Sequence, residues 1–245
     1  MRGSFFQYFG GKWRAAKQYP APHYDTIVEP FAGAAGYSCR YPDRNVVLVE
    51  KDPTVAGVWK YLIKVSPTEI LALPDLPEGA SIYDLNVIPE ARALIGFWLD
   101  SAVTSPCPRP CKRMRTSQRT VETRFWGTAL RRRLANQVGL IKHWLVLNCG
   151  YEDLPQTTQP GTWFVDPPYN NRAGNCYKHG ASEIDFTQLG HWCQERKGQV
   201  IVCENMGADW LPFRFLTTAI ASRRAGQSNK GRSAEGIWTN ADGVP

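Results

Sequence analysis

The stretch Trp163-Phe164-Val165-Asp166-Pro167-Pro168-Tyr169 predicts a buried strand that ends in an acid, two prolines and an aromatic residue. Its three leading apolar residues are typical of a short strand in the interior of a sheet. Because open α/β sheets bind their ligands at the carboxyl ends of the strands, the four residues after Val165 form a candidate site. The aspartate can accept a hydrogen bond from an amino group. The prolines have stiff φ angles and no backbone N–H, so they hold a carbonyl as a second acceptor.

The tyrosine that closes this motif, Tyr169, offers a flat face on which a flipped nucleic-acid base can stack. Taken alone, the motif is also compatible with an ordinary strand-ending turn. The neighbouring motifs of the chain therefore decide between these two interpretations.

A second predicted strand, Thr26-Ile27-Val28, leads into the small-residue turn Glu29-Pro30-Phe31-Ala32-Gly33-Ala34-Ala35-Gly36. A strand, a small-residue turn and a helix in this order are typical of nucleotide-like ligand sites on parallel sheets. Gly33 and Gly36 do not complete the G-x-G-x-x-G pattern, which disfavours a nicotinamide dinucleotide site. The chain also lacks a Gly-Lys-Ser/Thr phosphate loop.

A third predicted strand, Val46 to Val49, ends in Glu50. An acid at the end of the second strand along the chain, about 20 residues after the glycine turn, is suited to accept hydrogen bonds from the two hydroxyls of a ribose. Asp52 and Pro53 predict the N-cap and first residue of a helix, so we assign Asp52 a structural role.

Near the amino terminus, Gln7-Tyr8-Phe9-Gly10-Gly11-Lys12 combines two glycines with a lysine. The glycines allow the backbone to approach a ligand closely. Lys12 precedes a predicted helix and can meet a carboxylate or a phosphate. The alternative is a plain junction between a loop and a helix.

The remaining elements are consistent with one α/β domain. Leu145 to Leu147 and Gln199 to Cys203 predict two further strands, and Phe213 to Ile220 with Gly236 to Thr239 predict a C-terminal hairpin. A helix is predicted from Glu90 to Leu99. Another is predicted from Thr128 to Leu147, with Leu134, Val138, Ile141 and Leu145 as its apolar stripe. The polar stretch from Asn170 to Gly180 predicts a loop that contains Tyr177 and His179.

Composition narrows the class of protein. The 245 residues are 43% hydrophobic and 12% aromatic, without an apolar run long enough for a bilayer or a secretion signal. Seven scattered cysteines argue against a disulfide framework and favour a reducing cytoplasm. Cys107 and Cys111 have no second pair at ligand spacing, so we expect no metal. The net charge of +7 favours a polyanionic partner.

Most of the excess positive charge lies between residues 66 and 144, where prolines interrupt the helical pattern. A charge run is usually a solvated face, but arginine forks at this density suit phosphates. We therefore predict that this region contacts nucleic acid. The candidate side chains are Arg109, Lys112, Arg113, Arg115, Arg119, Arg124, Arg131 and Arg132, with Tyr177 from the loop after the central motif.

In their order along the chain, these motifs resemble the Dam-type class of DNA adenine N6-methyltransferases with an Asp-Pro-Pro-Tyr motif. The resemblance rests on Tyr8 to Lys12, Val28 to Gly33, Glu50, Glu152-Asp153 and Asp166 to Tyr169, and covers nearly the whole chain. It implies an S-adenosylmethionine-binding, Rossmann-like sheet, mostly parallel with a C-terminal antiparallel hairpin. It also implies a catalytic domain at 1–65 and 145–245, and a small, mainly helical target-recognition region inserted at 66–144.

Site roles follow from the same resemblance. Asp166, Pro167, Pro168 and Tyr169 would hold the target base, and Asp166 would also border the cofactor. The other implied cofactor residues are Tyr8, Gly10, Gly11, Lys12, Glu29, Pro30, Phe31, Gly33, Gly36, Glu50, Asp153 and Leu154. The family often has a glycine where this chain has Ala35.

The expected reaction moves a methyl group from S-adenosylmethionine to the adenine amino group of duplex DNA, with the base flipped out. A cytosine N4 or an RNA amino group would be held in the same way, so both remain alternatives. A DNA-binding protein that retains an inactive methyltransferase fold is a third alternative. We expect a monomer or weak dimer and no membrane partner. The resemblance implies the cytoplasm of a bacterium or a phage-infected host cell, in a restriction-modification, phage or regulatory setting.

Overall fold

The fold is built around a seven-stranded mixed sheet. The structure is a computed structural model that describes residues 1–101, 103–112, 114, 125–155, 159–220 and 232–240. The strand order is β3-β2-β1-β4-β5-β7-β6. The first five strands of this order are parallel, whereas β7 is antiparallel to both β5 and β6. The strands are β1 (Thr26–Glu29), β2 (Asn45–Val49), β3 (Leu145–Leu147), β4 (Gly161–Val165), β5 (Gly198–Asn205), β6 (Arg214–Ile220) and β7 (Arg232–Thr239). The predicted α/β class and the mostly parallel sheet are confirmed.

The order of the strands reverses at β1, which pairs with β2 on one side and with β4 on the other. Such a switch point opens a crevice at the carboxyl ends of the two central strands, and open α/β sheets bind ligands there. Glu29 ends β1 and Asp166 follows β4, so both acids lie at this crevice.

In the part of the chain that the structure describes, the α-helices are α1 (Pro53–Lys64), α2 (Pro67–Ala72), α3 (Pro89–Phe97), α4 (Thr128–Val138) and α5 (Phe186–Gln194). Asp52 caps α1 as predicted, accepting the Thr54 N–H at 2.9 Å. Ser66 and Glu69 form a capping box at α2. Short 3₁₀ turns occur at Ala15–Gln18, Ser38–Arg40, Ile82–Asp84, Gly139–Ile141, Tyr151–Asp153, Gly174–Cys176 and Ala181–Glu183.

Two helical predictions need correction. The helix predicted from Thr128 to Leu147 ends at Val138, where Gly139 begins a 3₁₀ turn. Glycine is a poor helix former, so the chain leaves the helix there and returns as β3. Leu145 is therefore an edge-strand residue with 60% exposure. The glycine turn after β1 is followed by the single 3₁₀ turn Ser38–Arg40 instead of a helix.

Alternate residues of the central strands belong to two hydrophobic cores. Ile27, Phe164 and Ile201 pack into one core, while Val28 and the β5 valines pack into the other. The sheet is thus buried on both faces, as parallel sheets generally are. The larger core also includes buried residues of α3 and α4, so the region predicted as an insertion shares its core with the predicted catalytic part.

Within the described residues, no helix combines the length and apolar character that crossing a bilayer requires.

Candidate functional site at the switch point

A pocket that opens to solvent lies at the carboxyl ends of β1, β2 and β4. Its walls come from five parts of the chain: residues 8–12, 29–36, 50–52, 150–152 and 177–184, with three residues at the end of β4. Twelve residues predicted for the catalytic or cofactor site line it together: Tyr8, Gly10, Gly11, Lys12, Glu29, Pro30, Phe31, Gly33, Gly36, Glu50, Asp166 and Pro168.

The turn after β1 is fixed by contacts that only small residues permit. Gly33 has a φ of 46°, its N–H donates to Glu50 Oε2 at 2.9 Å, and its carbonyl accepts the Trp59 indole N–H at 2.7 Å. A Cβ on Gly36 would lie 2.4 Å from the backbone nitrogen of Trp13. Glycine at this position therefore lets the turn pack directly on the amino-terminal motif.

Ala35, where the resembled family often has glycine, also has a φ of 46°. This left-handed conformation is uncommon for a residue with a side chain and carries a cost of about 1 kcal/mol. The turn thus keeps a glycine-like backbone with an alanine in place.

Two acids at the ends of β1 and β2 anchor this turn. Burial raises the pKa of Glu29 to about 8, against an opposing hydrogen bond in which its carboxyl accepts the Ser38 N–H at 2.7 Å. Glu50 accepts the N–H groups of Gly33 and Asp52, both at 2.9 Å, and burial raises its pKa as well. Each carboxylate oxygen has two lone pairs, so Glu50 keeps the capacity to accept hydroxyl groups from a ligand.

Two residues of the predicted motif belong to a group of five charged and phenolic side chains. We call this group the Lys12 cluster: Lys12, Tyr19, Asp166, Tyr169 and Glu235. The ammonium of Lys12 lies 2.7 Å from Asp166 Oδ1 and 3.4 Å from Glu235 Oε1. It also lies 4.7 Å from the centre of the Tyr169 ring, a cation–π contact. The hydroxyl of Tyr19 donates to Glu235 at 2.6 Å, and the hydroxyl of Tyr169 donates to the same oxygen.

Burial and neighbouring charges set the protonation of this cluster. Burial raises the pKa of Asp166 to about 6, with Lys12 opposing the rise and Glu235 adding to it. Burial alone would lower the pKa of Lys12, but the carboxylates of Asp166 and Glu235 outweigh it and raise that pKa above its ordinary value. At neutral pH the cluster therefore holds a charged lysine beside an ionised Asp166.

The turn that follows Asp166 is held in place on its far side. Pro167 is buried, Pro168 lines the pocket and Tyr169 is half-buried. The Asn170 N–H donates to Glu204 Oε2 at 3.1 Å. The motif is thus anchored at both ends, through Asp166 to Lys12 of the amino-terminal loop and through Asn170 to Glu204 of β5.

The segment after β3 lines the pocket with the three residues that precede the predicted Asp153 and Leu154. Tyr151 and Glu152 line the pocket, and the Tyr151 ring lies 5.3 Å from that of Phe31. Asp153, a predicted cofactor residue, accepts the Gly150 N–H at 3.3 Å. Leu154, predicted for the same role, packs into the smaller core.

The loop after the motif covers part of the pocket. Tyr177, predicted to contact DNA, donates its hydroxyl to the Phe9 carbonyl at 3.1 Å, and its ring packs 5.9 Å from that of Tyr8. Lys178 pairs with Asp52 at 3.2 Å. Glu183 pairs with Lys51 at 3.4 Å and with the His179 ring nitrogen at 3.0 Å. Tyr177 therefore lies inside the pocket wall, on the side of the predicted cofactor residues.

The predicted DNA-contacting side chains have different environments. Arg109, Lys112 and Arg132 are exposed. Arg131 is 8% exposed and forms a two-pronged ion pair with Asp75, at 2.7 and 3.2 Å. Its guanidinium is committed to the protein interior, so we correct its predicted role to a structural one. Arg113, Arg115, Arg119 and Arg124 lie outside the described residues.

Glu235 and Tyr19 are the site residues that the sequence did not reveal. Glu235 shares the buried face of β7 with Ile237, two positions away. An acid on the apolar side of a strand is the one sequence signal that would have identified it. No group of histidine, cysteine and acidic side chains among the described residues is arranged to hold a metal ion.

Comparison with known proteins leaves the family open. No family model matches the chain, and no curated protein matches it. A solved structure described as a conserved hypothetical protein of Streptococcus pyogenes aligns with 86% of this chain and 84% of its own, at 12% identity and a TM-score of 0.36. A likeness at this level carries no argument about function.

Proposed function

We propose that this chain is an S-adenosylmethionine-dependent methyltransferase that modifies the N6 amino group of adenine in DNA. The observation that carries the proposal is the position of Asp166, which faces the pocket at the switch point together with the glycine turn and Glu50. Three motifs that are far apart in the sequence thus supply acceptors to one cavity.

The pocket residues fit the cofactor by their chemistry. Glu50 offers carboxylate oxygens for ribose hydroxyls, and Phe31 with Tyr151 offers aromatic surface for an adenine ring. The glycines at positions 33 and 36 let the turn pack closely on Tyr8 and on the backbone of Lys12 and Trp13, which closes this side of the pocket. When bound, S-adenosylmethionine supplies an electrophilic methyl group attached to a sulfonium.

The target amine would be held by the motif after β4. An adenine amino nitrogen is a weak nucleophile because its lone pair is delocalised into the ring. Asp166 would accept one N–H and the Pro167 carbonyl the other, which localises the lone pair on nitrogen. The nitrogen would then bond to the methyl carbon that the cofactor supplies, the electron pair of the broken C–S bond would stay with sulfur, and the extra proton would leave the nitrogen for solvent. Positive charge on nitrogen grows beside a fixed carboxylate and is stabilised by it.

DNA would approach the open mouth of the pocket. The net charge of +7 and the exposed Arg109, Lys112 and Arg132 support an interaction with phosphates. Flipping the base costs a few kcal/mol, and stacking on Tyr169 offsets part of it. The region 66–144 remains our proposed recognition region.

Mass spectrometry of nucleosides tests this function. Unmethylated DNA and, separately, RNA are incubated with the protein and S-adenosylmethionine, digested and analysed. N6-methyladenine in DNA is the expected product. N4-methylcytosine, or a methylated base from RNA only, would retain the reaction and change the target. No product, with the cofactor bound, would favour a DNA-binding protein that has lost methyl transfer.

A further inference from the structure

Glu235 connects parts of the site that the sequence keeps far apart. It lies in β7, paired with Asn205 of β5, and is 4% exposed. One of its oxygens, Oε1, receives the hydroxyls of Tyr19 and Tyr169 and lies 3.4 Å from the ammonium of Lys12. The C-terminal hairpin is thereby bound to the amino-terminal motif and to the motif after β4.

The charge balance of the Lys12 cluster depends on this second acid. Lys12 with Asp166 alone would be a neutral pair, and the lysine would draw the Asp166 carboxylate away from a second partner. With Glu235 the cluster contains two acids and one cation. The excess negative charge lies where the proposed reaction builds positive charge on the target nitrogen.

We propose that Glu235 is a positioning residue for this reaction: it shares the charge of Lys12, so that Asp166, whose Oδ1 accepts the lysine, can accept the target amine at its other oxygen, and it fixes the Tyr169 ring through the phenol hydroxyl. This inference rests on the proposed methyl transfer. It makes the reaction depend on the C-terminal hairpin, which carries Glu235, as well as on the motif after β4.

Other ionisable groups near Asp166 bear on its protonation. Lys12, Glu235 and Tyr169 face it directly. Burial raises the pKa values of Tyr19, Tyr177 and Cys203, which keeps them neutral over the relevant range. Burial likewise raises the pKa values of the more distant Glu29 and Glu204. Of the acids, Glu235 is the one that shares a cation with Asp166.

Glu235→Gln tests the charge, with Tyr19→Phe as the matched control. The amide keeps an oxygen for the two hydroxyls but removes the negative charge, whereas Tyr19→Phe removes one hydrogen bond and keeps the charge. In Glu235→Gln we expect kcat to fall roughly 10- to 100-fold, with affinity for S-adenosylhomocysteine within about threefold of the wild type. We expect a smaller loss of kcat in Tyr19→Phe.

The pH dependence separates positioning from mere structural support. Glu235 raises the pKa of Asp166, so Glu235→Gln should lower it, and the acid limb of kcat/KM should move to lower pH. Carboxyl carbon NMR of Asp166, assigned by its loss in Asp166→Asn, gives the same pKa without any turnover. In Tyr19→Phe, the acid limb of kcat/KM and the midpoint of the Asp166 NMR titration should both stay near their wild-type positions.

The outcomes distinguish this inference from the function on which it rests. A wild-type protein without methyl transfer would contradict the proposed function, and the NMR titration would still report on the charge coupling. An active wild type with near-normal kcat and an unchanged Asp166 midpoint in Glu235→Gln would overturn the role of Glu235. If Glu235→Gln does not fold, Glu235→Asp keeps the charge but shortens the reach to Tyr169. A near-normal kcat in that variant would overturn the positioning role.

Discussion

The Lys12 cluster and the ion pair Arg131–Asp75 differ in their balance of charges and in their surroundings. In the cluster, two acids share one lysine beside an open pocket, and tyrosine hydroxyls complete the hydrogen bonding. In the pair, one guanidinium meets one carboxylate through two parallel hydrogen bonds, and the acid is largely exposed. A balanced pair of this kind holds two segments together, whereas an unbalanced one next to a cavity is suited to stabilise charge that develops on a ligand.

The largest expected effect comes from the contact that places Lys12. Gly36→Ala puts a methyl group within 3 Å of the backbone of Lys12 and Trp13, so the glycine turn and the amino-terminal motif must separate. We expect a loss of about 3 kcal/mol in the free energy of unfolding and at least a tenfold loss in affinity for S-adenosylhomocysteine. Urea unfolding measures the free energy of unfolding, and titration calorimetry measures the affinity for S-adenosylhomocysteine.

Gly139→Ala is the control for that substitution. Gly139 has a φ of −63° and no atom within 4 Å of the added methyl group. Alanine there should stabilise the protein by about 0.5–1 kcal/mol and leave ligand affinity unchanged. Equal losses in both variants would contradict the close packing of the turn.

The pH dependence of the proposed methyl transfer sharpens the comparison further, because the Lys12 cluster contains an acid that titrates in an accessible range. Burial raises the pKa of Asp166 to about 6, so the carboxylate is present above that pH and is lost as the pH falls through it. We expect kcat/KM for DNA, at saturating cofactor, to fall about tenfold per pH unit below 6. A flat profile between pH 5 and pH 7, with circular dichroism showing a folded protein, would contradict this assignment.

The smallest expected effects come from alanine substitutions of two neighbouring arginines, which should have different consequences. Arg131→Ala removes the ion pair with Asp75 and should lower the free energy of unfolding by about 1–3 kcal/mol. Arg132→Ala should change it by less than about 0.5 kcal/mol, because that side chain is exposed. If Arg132 contacts a phosphate, its loss should weaken DNA binding and reduce the salt slope by about one. A stability loss in Arg132→Ala and weaker DNA binding in Arg131→Ala would instead assign the structural role to Arg132 and the phosphate contact to Arg131.

The sequence predicted the parts of the site that lie at strand ends. Apolar runs ending in Glu29, Glu50 and Asp166 place three acids at one edge of a parallel sheet, since parallel strands share the edge where they end. The glycine turn followed from its small residues. These features are local in the sequence and depend on backbone geometry alone.

Tertiary pairing could not be predicted in the same way. Tyr19 and Glu235 are 216 residues apart, and nothing near either residue indicates the other. The arginine run predicted a phosphate-binding face, yet Arg131 meets an acid 56 residues away and is buried. A run of charged residues in the sequence thus predicts how much charge a region carries, whereas burial in the fold decides which of those side chains can contact a phosphate.

Asp166→Asn provides the most direct test that the Lys12 cluster is the chemical site. The amide keeps the size of the side chain and one acceptor oxygen but loses the negative charge. In a single turnover with methyl-labelled S-adenosylmethionine and unmethylated DNA, the wild type should transfer label, and Asp166→Asn should transfer it at least about 100-fold more slowly. Affinity for S-adenosylhomocysteine, measured on the same samples, should stay within about threefold. Near-normal transfer by Asp166→Asn would contradict the account.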